Sequence, residues 1–263
     1  MCFRIVRIEG DGSIKLILAS ELECSETNLT NDSGYATDGA KGVKGNLITA
    51  HYGYKKIASV LTRYANDYIN SEDKENSARV KLNEWLERKI TNESDLALLK
   101  SDIWCIGDLT NGYDVNSNGN IIGKIDDLIK ANTSFTYISR IKYDVTKTPS
   151  YKCTTTGVDG ETDINKVGML TFDEVVYAGG GSVTNSNYYL INNATTKEWY
   201  TLNPFAYDET STTAMWAVNI TGELDFIIDI NQAYNGLRPV LTLKSSVKIT
   251  SGDGTITNPY KVS

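Results

Sequence analysis

The stretch CFRIVRIEGDGSIKLILAS, residues 2–20, decides the fold class. Two apolar-rich runs, FRIVRI and SIKLILA, flank Gly10-Asp11-Gly12. Asp-Gly is a strong signal for a tight hairpin, so the two runs read as antiparallel strands. In the first, Phe3, Ile5 and Arg7 share one face, and Arg4 and Val6 share the other. That alternation is imperfect, which fits a strand covered on both sides. A hairpin also brings its two ends together. Cys2 and Cys24 stand at those ends, so they are expected to pair, leaving Cys105 with Cys153 by elimination. Four widely spaced cysteines outside any C-x-x-C pattern fit an oxidising compartment. The alternative is four reduced, buried thiols in a cytosolic protein.

Working outward, residues 23–45 are rich in Ser, Asn, Asp and Gly and read as an irregular loop. In YKKIASVLTRYANDYI, residues 54–69, Ile57, Val60, Leu61, Tyr64 and Tyr68 form one apolar stripe at helical spacing. After SEDKEN a second helix is expected from about Ser77 to Ile90, with Ala78, Leu82, Trp85 and Leu86 facing inward. Two such helices suggest a helical hairpin packed on a sheet. A short helix is expected near Ile122 to Ile129, and a strand around Phe135 to Tyr143. In KVGMLTFDEVVYAGGG, Val167 to Leu170 reads as a strand entering a helix. Thr171 caps that helix, Glu174 completes a capping box and Gly179 stops it.

The remainder is β-rich: NYYLI, EWYTL, AMWAVNI, LDFIIDI, RPVLTL and VKIT are strand candidates between Asn, Gly, Pro and Thr turns. SGDGTIT near the end echoes EGDGSIK near the start and reads as the same hairpin turn used twice. The expected fold class is α+β, predominantly antiparallel sheet with two or three packed helices. Residues 1–263 are expected to form one unit, a size able to bury a sizeable core.

Composition narrows the function. Net charge is −7, and the most basic stretch, ARVKLNEWLERKI, is interrupted by Glu84 and Glu87; this argues against a nucleic-acid partner. No stretch reaches the ~18 apolar residues of a membrane span. The abrupt start inside a strand suggests a fragment of a longer anchored or pilin-like protein, with Met1 added for expression. The 16 Tyr against 5 Phe suit half-wet surfaces and interfaces.

Several pieces together carry a resemblance: CFRIVRIEGDGSIKLI, VGMLTFDEVVYAGG, the pair YYL and WYTLNP, and GLRPVLTLKSSVKITSGDGTITNPY. The chain resembles a family of uncharacterised surface domains of Gram-positive gut bacteria, which often follow a pilin-like segment or another export anchor. The resemblance spans nearly the whole chain and is strongest over residues 166–260. It implies secretion or display on a cell surface or pilus, and no assigned catalytic residues. The element order is also similar to the C-type-lectin-like fold, which includes the formylglycine-generating enzymes and in which a Gly-x-Arg-Pro strand closes the chain beside the first strand. Both functional patterns of that fold are missing. No cysteine follows Cys153, and the calcium-and-sugar motifs of the lectins are replaced by Leu-Asn-Pro at Asn203-Pro204 and Thr-Asn-Pro at Asn258-Pro259.

Residues able to carry catalysis or bind a metal are few. His51 is the only histidine, and a lone His in polar TAHYGY reads as a solvated or capping residue before it reads as a base. Asp173 with Glu174, or Asp225 with Asp229, could serve a carboxylate glycosidase. Acids in a first helical turn have a simpler electrostatic role, however, and Asp225 and Asp229 are ~13 Å apart along a strand. In DVNSNGN, Asp114, Asn116 and Asn118 alternate oxygens as in the front half of a calcium loop, with Asp126 arriving one place late. A structural calcium on Asp114, Asn116, Asn118 and Asp126 is weighed there against a plain Asn-Gly surface turn. No other cofactor is expected.

Binding is left. Tyr188, Tyr189, Trp199, Tyr200, Tyr207 and Trp216 crowd among Asn, Thr and Ser, a makeup shared with paratopes and sugar platforms. About half should be buried, Trp199 and Tyr189 among them. Tyr188, Tyr200, Tyr207 and Trp216 are expected to line a ligand surface, and Arg238 to tie the closing strand to a neighbouring loop. The sequence therefore points to a non-catalytic, surface-displayed adhesion domain for a host or bacterial glycan or protein. A carboxylate-based cell-wall glycan hydrolase and a structural pilus subunit are the alternatives.

Overall fold

The computed structural model describes residues 1–31, 78–104, 113–115, 121–124, 135–136, 157–158, 161–162, 164–181, 188–190, 198–207, 213–228 and 236–263. In chain order these hold β1 (Cys2–Ile8), β2 (Ile14–Ser20), α1 (Glu26–Asn31), α2 (Ala78–Lys89), α3 (Glu93–Leu98), β3 (Asp102–Ile103), β4 (Tyr113–Val115) and β5 (Ile121–Lys124). Then follow β6 (Phe135–Thr136), β7 (Gly157–Val158), β8 (Glu161–Thr162), β9 (Ile164–Asn165), β10 (Val167–Gly168), α4 (Phe172–Tyr177), β11 (Trp199–Tyr207), β12 (Thr213–Val218) and β13 (Leu224–Ile228). Last come β14 (Val240–Leu243), β15 (Ile249–Ser251) and β16 (Lys261–Val262).

The opening hairpin forms: β1 and β2 pair antiparallel, with Ile8 opposite Ile14. They belong to a four-stranded sheet of order β1-β2-β14-β10, and a second four-stranded sheet runs β13-β12-β11-β6. Every pairing between named strands is antiparallel, so the class is α+β with sheet predominant. The closing strand β14 lies beside β2, with Val240 opposite Ile17, and not beside β1. It is buried at all four positions, as a central strand covered on both faces should be.

Among the described residues β1 is an edge strand. Its register shifts between Cys2 and Phe3 and between Ile5 and Arg7, and Ile5 and Ile8 are exposed. The expectation that both its faces are covered fails for that reason. Bulges, not a second layer, break its alternation.

One apolar core joins the pieces. Leu82, Trp85 and Leu86 of α2 enter it as their spacing predicts, with Ile17 and Leu18 of β2, Val175 of α4, and Trp199, Trp216 and Leu224 of the second sheet. Phe172 of α4 meets Trp216 with ring centroids 5.0 Å apart and planes tilted by 60°, a geometry aromatic pairs favour. The Trp104 ring lies across Gly168: a Cβ there would stand 2.2 Å from the indole, so only glycine fits. Backbone bonds also cross between elements. The Leu202 amide donates to Leu170, and the Leu224 amide to Gly181, each over 2.8 Å.

Four expectations are corrected. Residues 23–45 do not begin as plain loop: α1 starts at Glu26, with the Ser25 hydroxyl accepting from the Asn28 amide at 3.0 Å. The helix expected from Ile122 is strand β5 over Ile121–Lys124, paired with β4. β-Branched Ile121 and Ile122 with Gly123 suit a hairpin arm better than a helix. The segment 188–190 is a turn, not a strand. Side chains, not a neighbouring strand, take its carbonyls: Arg4 donates to the Tyr189 oxygen and Arg238 to the Leu190 oxygen. Helix α3, capped by Asn92, has only six residues, too few to show a helical period in the sequence. The helix expected over 54–69, His51, and most of the strand expected to reach Tyr143 lie outside the described residues.

Candidate functional site

The most concentrated chemistry is a buried ionic node built on the opening hairpin. Arg7 and Lys15 are cross-strand partners, which puts two cations side by side. Glu174 of α4 neutralises them with a single oxygen: Oε1 lies 2.8 Å from the Arg7 guanidinium and 2.9 Å from Lys15 Nζ. Its other oxygen accepts from the Thr171 amide at 2.8 Å, while Thr171 Oγ1 accepts from the Glu174 amide at 3.1 Å. The capping box expected from sequence is therefore also the anchor of the node. Glu9 adds a bond from Arg7 Nε at 2.7 Å, and Lys15 Nζ lies 5.2 Å from the centre of the Trp104 ring.

Glu174 is only 2% exposed. Burial is the largest single influence on its carboxyl and pushes it up. The charges of Lys15 and Arg7, with the bonds from Thr171 and Lys15, outweigh burial and hold it below the usual carboxylate range. An acid so fully engaged is a structural tie, not a proton donor. Next to it, Lys100 Nζ binds Asp11 Oδ2 at 2.9 Å and lies 3.7 Å from Asp102 Oδ1. Asp102 in turn accepts from Thr242 Oγ1 at 2.6 Å.

The aromatic set divides differently from the sequence expectation. Tyr188, Tyr200 and Trp216 were assigned to a ligand surface, but all three are buried, Tyr200 and Trp216 to 1% exposure. Tyr200 and Trp216 sit on strands β11 and β12, inside the core, and Tyr188 packs against Gly179 where α4 ends. Their rings serve packing and are withdrawn from the ligand face. The Tyr207 side chain lies outside what the structure describes. Trp199 is buried as expected, with the Arg238 guanidinium 4.9 Å from its ring centre. Tyr189 is not: it is 55% exposed. Arg4 stands beside that ring, 5.7 Å from its centre, and donates to the Tyr189 carbonyl. Burial, the main influence, lowers the guanidinium from its ordinary value. Tyr177, in the last turn of α4, is also exposed. Gly179, two residues on, touches Tyr188, so the helix end and the 188–190 turn adjoin. Arg4 and Tyr189 thus form an exposed pair of ring and guanidinium.

Arg238 is the structural tie expected: buried, it donates to the Leu190 carbonyl at 2.6 Å and the Leu18 carbonyl at 2.9 Å. The Cys2–Cys24 disulfide is present, with the Cα atoms 4.8 Å apart. Cys105 and Cys153 lie outside the described residues. Of the calcium candidates, Asp114 lies in β4 opposite Gly123, while Asn116, Asn118 and Asp126 lie outside the described residues. Of the paired acids, Asp229 also lies outside them, and Asp225 faces Ala217 in the β12–β13 ladder. Glu198, not singled out in the sequence, is pushed up by partial burial and then by the Asp225 charge. Comparison with known proteins adds no relative: no family model, no curated protein and no solved structure matches this chain.

Proposed function

We propose that the chain is a non-catalytic, surface-displayed adhesion domain that binds a glycan or protein partner. The exposed Tyr189 ring backed by Arg4 is the observation that supports this reading. A flat ring held by a guanidinium offers a stacking face at little entropic cost. The Cys2–Cys24 bond favours an oxidising compartment, consistent with export. The family of Gram-positive surface domains, the pilin-like or anchored parent protein and the C-type-lectin-like arrangement remain part of this proposal. A screen of the oxidised protein against glycans, mucin and peptidoglycan tests it. Retention that is lost in Tyr189→Ala supports the reading, and no retention by the wild type refutes it.

A second reading rests on the Glu198–Asp225 coupling: a carboxylate-based cell-wall glycan hydrolase, with raised Glu198 as acid. The ladder pairs Asp225 with Ala217 and Ala217 with Tyr200, two residues beyond Glu198. Two strand spacings across and two residues along, about 12 Å in all, therefore separate the two backbones. Release of reducing ends by the wild type and not by Glu198→Gln would favour this reading.

A further inference from the structure

The last sixteen residues form a ribbon that stands off the core. Ile249 pairs with Val262, and Lys248 and Ser263 exchange two backbone bonds of 3.1 Å. Beyond Val247, which packs on the core, no residue of this ribbon is buried. Residues directly opposite each other in an antiparallel ladder point to one face. Ile249 and Val262 therefore share a face, and they are 56% and 37% exposed; Tyr260 on the same ribbon is exposed as well. A two-stranded hairpin is marginal in water by itself, and one presenting an aliphatic pair to solvent gains by covering it.

Charge indicates what covers it. Residues 248–263 carry Lys248 and Lys261 against Asp253, a balance of +1; the whole chain is −7, so the rest carries −8. Among the described residues Lys248 and Lys261 have no ion-pair partner. We propose that this hairpin docks on the acidic body of a second copy of the chain. Two hairpins meeting each other would bring like charges together, so each hairpin meets the body of another copy, reciprocally across a two-fold axis or head to tail. The patch is small, so the association is weak and salt-sensitive. The inference is independent of the ligand reading at Tyr189.

Sedimentation velocity of the full chain over a concentration series, at low and at high salt, tests this. The wild type should associate as concentration rises, and high salt should weaken the association. Lys248→Glu with Lys261→Glu changes only exposed side chains and should weaken it about tenfold or more. Ile249→Ser with Val262→Ser should do the same while leaving the core and the thermal transition unchanged. Carbodiimide cross-linking between isotopically distinct copies should join Lys248 or Lys261 to acidic residues outside 244–263. A single monomeric species at every concentration overturns the proposal. So does association indifferent to the charge reversal, a dimer cross-linked hairpin to hairpin, or a monomer that uses the hairpin only to hold a glycan or mucin.

Discussion

The Gly-Asp-Gly turns at residues 10–12 and 252–254 share a motif and a grip but sit in opposite surroundings. In the first, Asp11 Oδ1 accepts from the Ser13 amide at 2.9 Å and the Ser13 hydroxyl at 2.5 Å. In the second, Asp253 Oδ1 accepts from the Thr255 amide at 3.0 Å and its hydroxyl at 2.7 Å. The following glycines have nearly equal left-handed φ, 83° at Gly12 and 85° at Gly254. There the likeness ends. The first turn joins adjacent strands directly and is clasped by Lys100. The second is followed by six more residues before β16 begins, Gly252 presses on the Pro259 carbonyl, and no cation reaches Asp253 among the described residues. The expectation of one hairpin turn used twice holds for the local Asp-Gly-Ser/Thr clasp and for an antiparallel hairpin at each place, but the second hairpin closes through a longer loop. Sequence sets the clasp, and the sheet around it decides whether that clasp stabilises a core or an exposed ribbon.

The contrast breaks most severely at Glu174. Glu174→Ala leaves buried Lys15 beside partly buried Arg7 without their shared carboxylate and removes the Glu174 half of the capping box, so it should cost about 3–5 kcal/mol. Denaturant unfolding would measure this. The same acid gives the pH dependence. Its carboxyl is depressed in the fold, so its contribution is full above the ordinary carboxylate range and is lost as pH falls through the folded value. The wild type should therefore lose stability on acidification below the ordinary range, and the loss should be smaller in Glu174→Gln, which starts lower. In the exposed ribbon Asp253 is likewise held below its ordinary range by the bonds from Thr255, so acidification loosens only that local clasp.

Reducing Cys2–Cys24, separated by 22 positions, should cost about 3 kcal/mol, again at the embedded hairpin. Thermal melts with and without reductant, compared with Cys2→Ser/Cys24→Ser, would show it. Gly168→Ala drives a methyl into the Trp104 ring and should cost about 2–3 kcal/mol, with a blue- or red-shifted tryptophan emission as Trp104 moves. The smallest effect belongs to the ribbon. Asp253→Ala should leave the global melt unmoved and speed hydrogen exchange only at residues near Thr255. A shifted global melt would mean that the ribbon is part of the core.

What could be read from the sequence was local. The opening hairpin, the inward face of α2, the Thr171–Glu174 cap and the disulfide at the hairpin ends each rest on residues close in sequence or on one turn. The site was not local. Glu174 was legible as a cap, but Lys15 lies 159 residues away and no spacing rule links them. The exposed ring was assigned to the wrong neighbour for a related reason. In a strand, Tyr188 and Tyr189 would alternate, and placing one would place the other. Residues 188–190 form a turn whose carbonyls answer to Arg4 and Arg238, one of them at the far end of the chain. Alternation therefore carries no phase there. Tyr200 and Trp216 were misassigned because polar flanks of Asn and Thr suggested surface, whereas Thr201, for example, is buried with its hydroxyl donating to the Trp216 carbonyl at 2.9 Å.

The central functional claim is that recognition at the Arg4–Tyr189 surface proceeds without turnover. Its most direct test is retention of immobilised mucin and peptidoglycan glycans by wild type, Tyr189→Ala and Arg4→Ala, with reducing ends assayed in the same samples. The expected result is binding by the wild type, at least about tenfold weaker binding by both variants with an unchanged melting temperature in Tyr189→Ala, and no reducing ends from any of the three. Reducing ends released by the wild type, or retention equal in all three proteins, would contradict it.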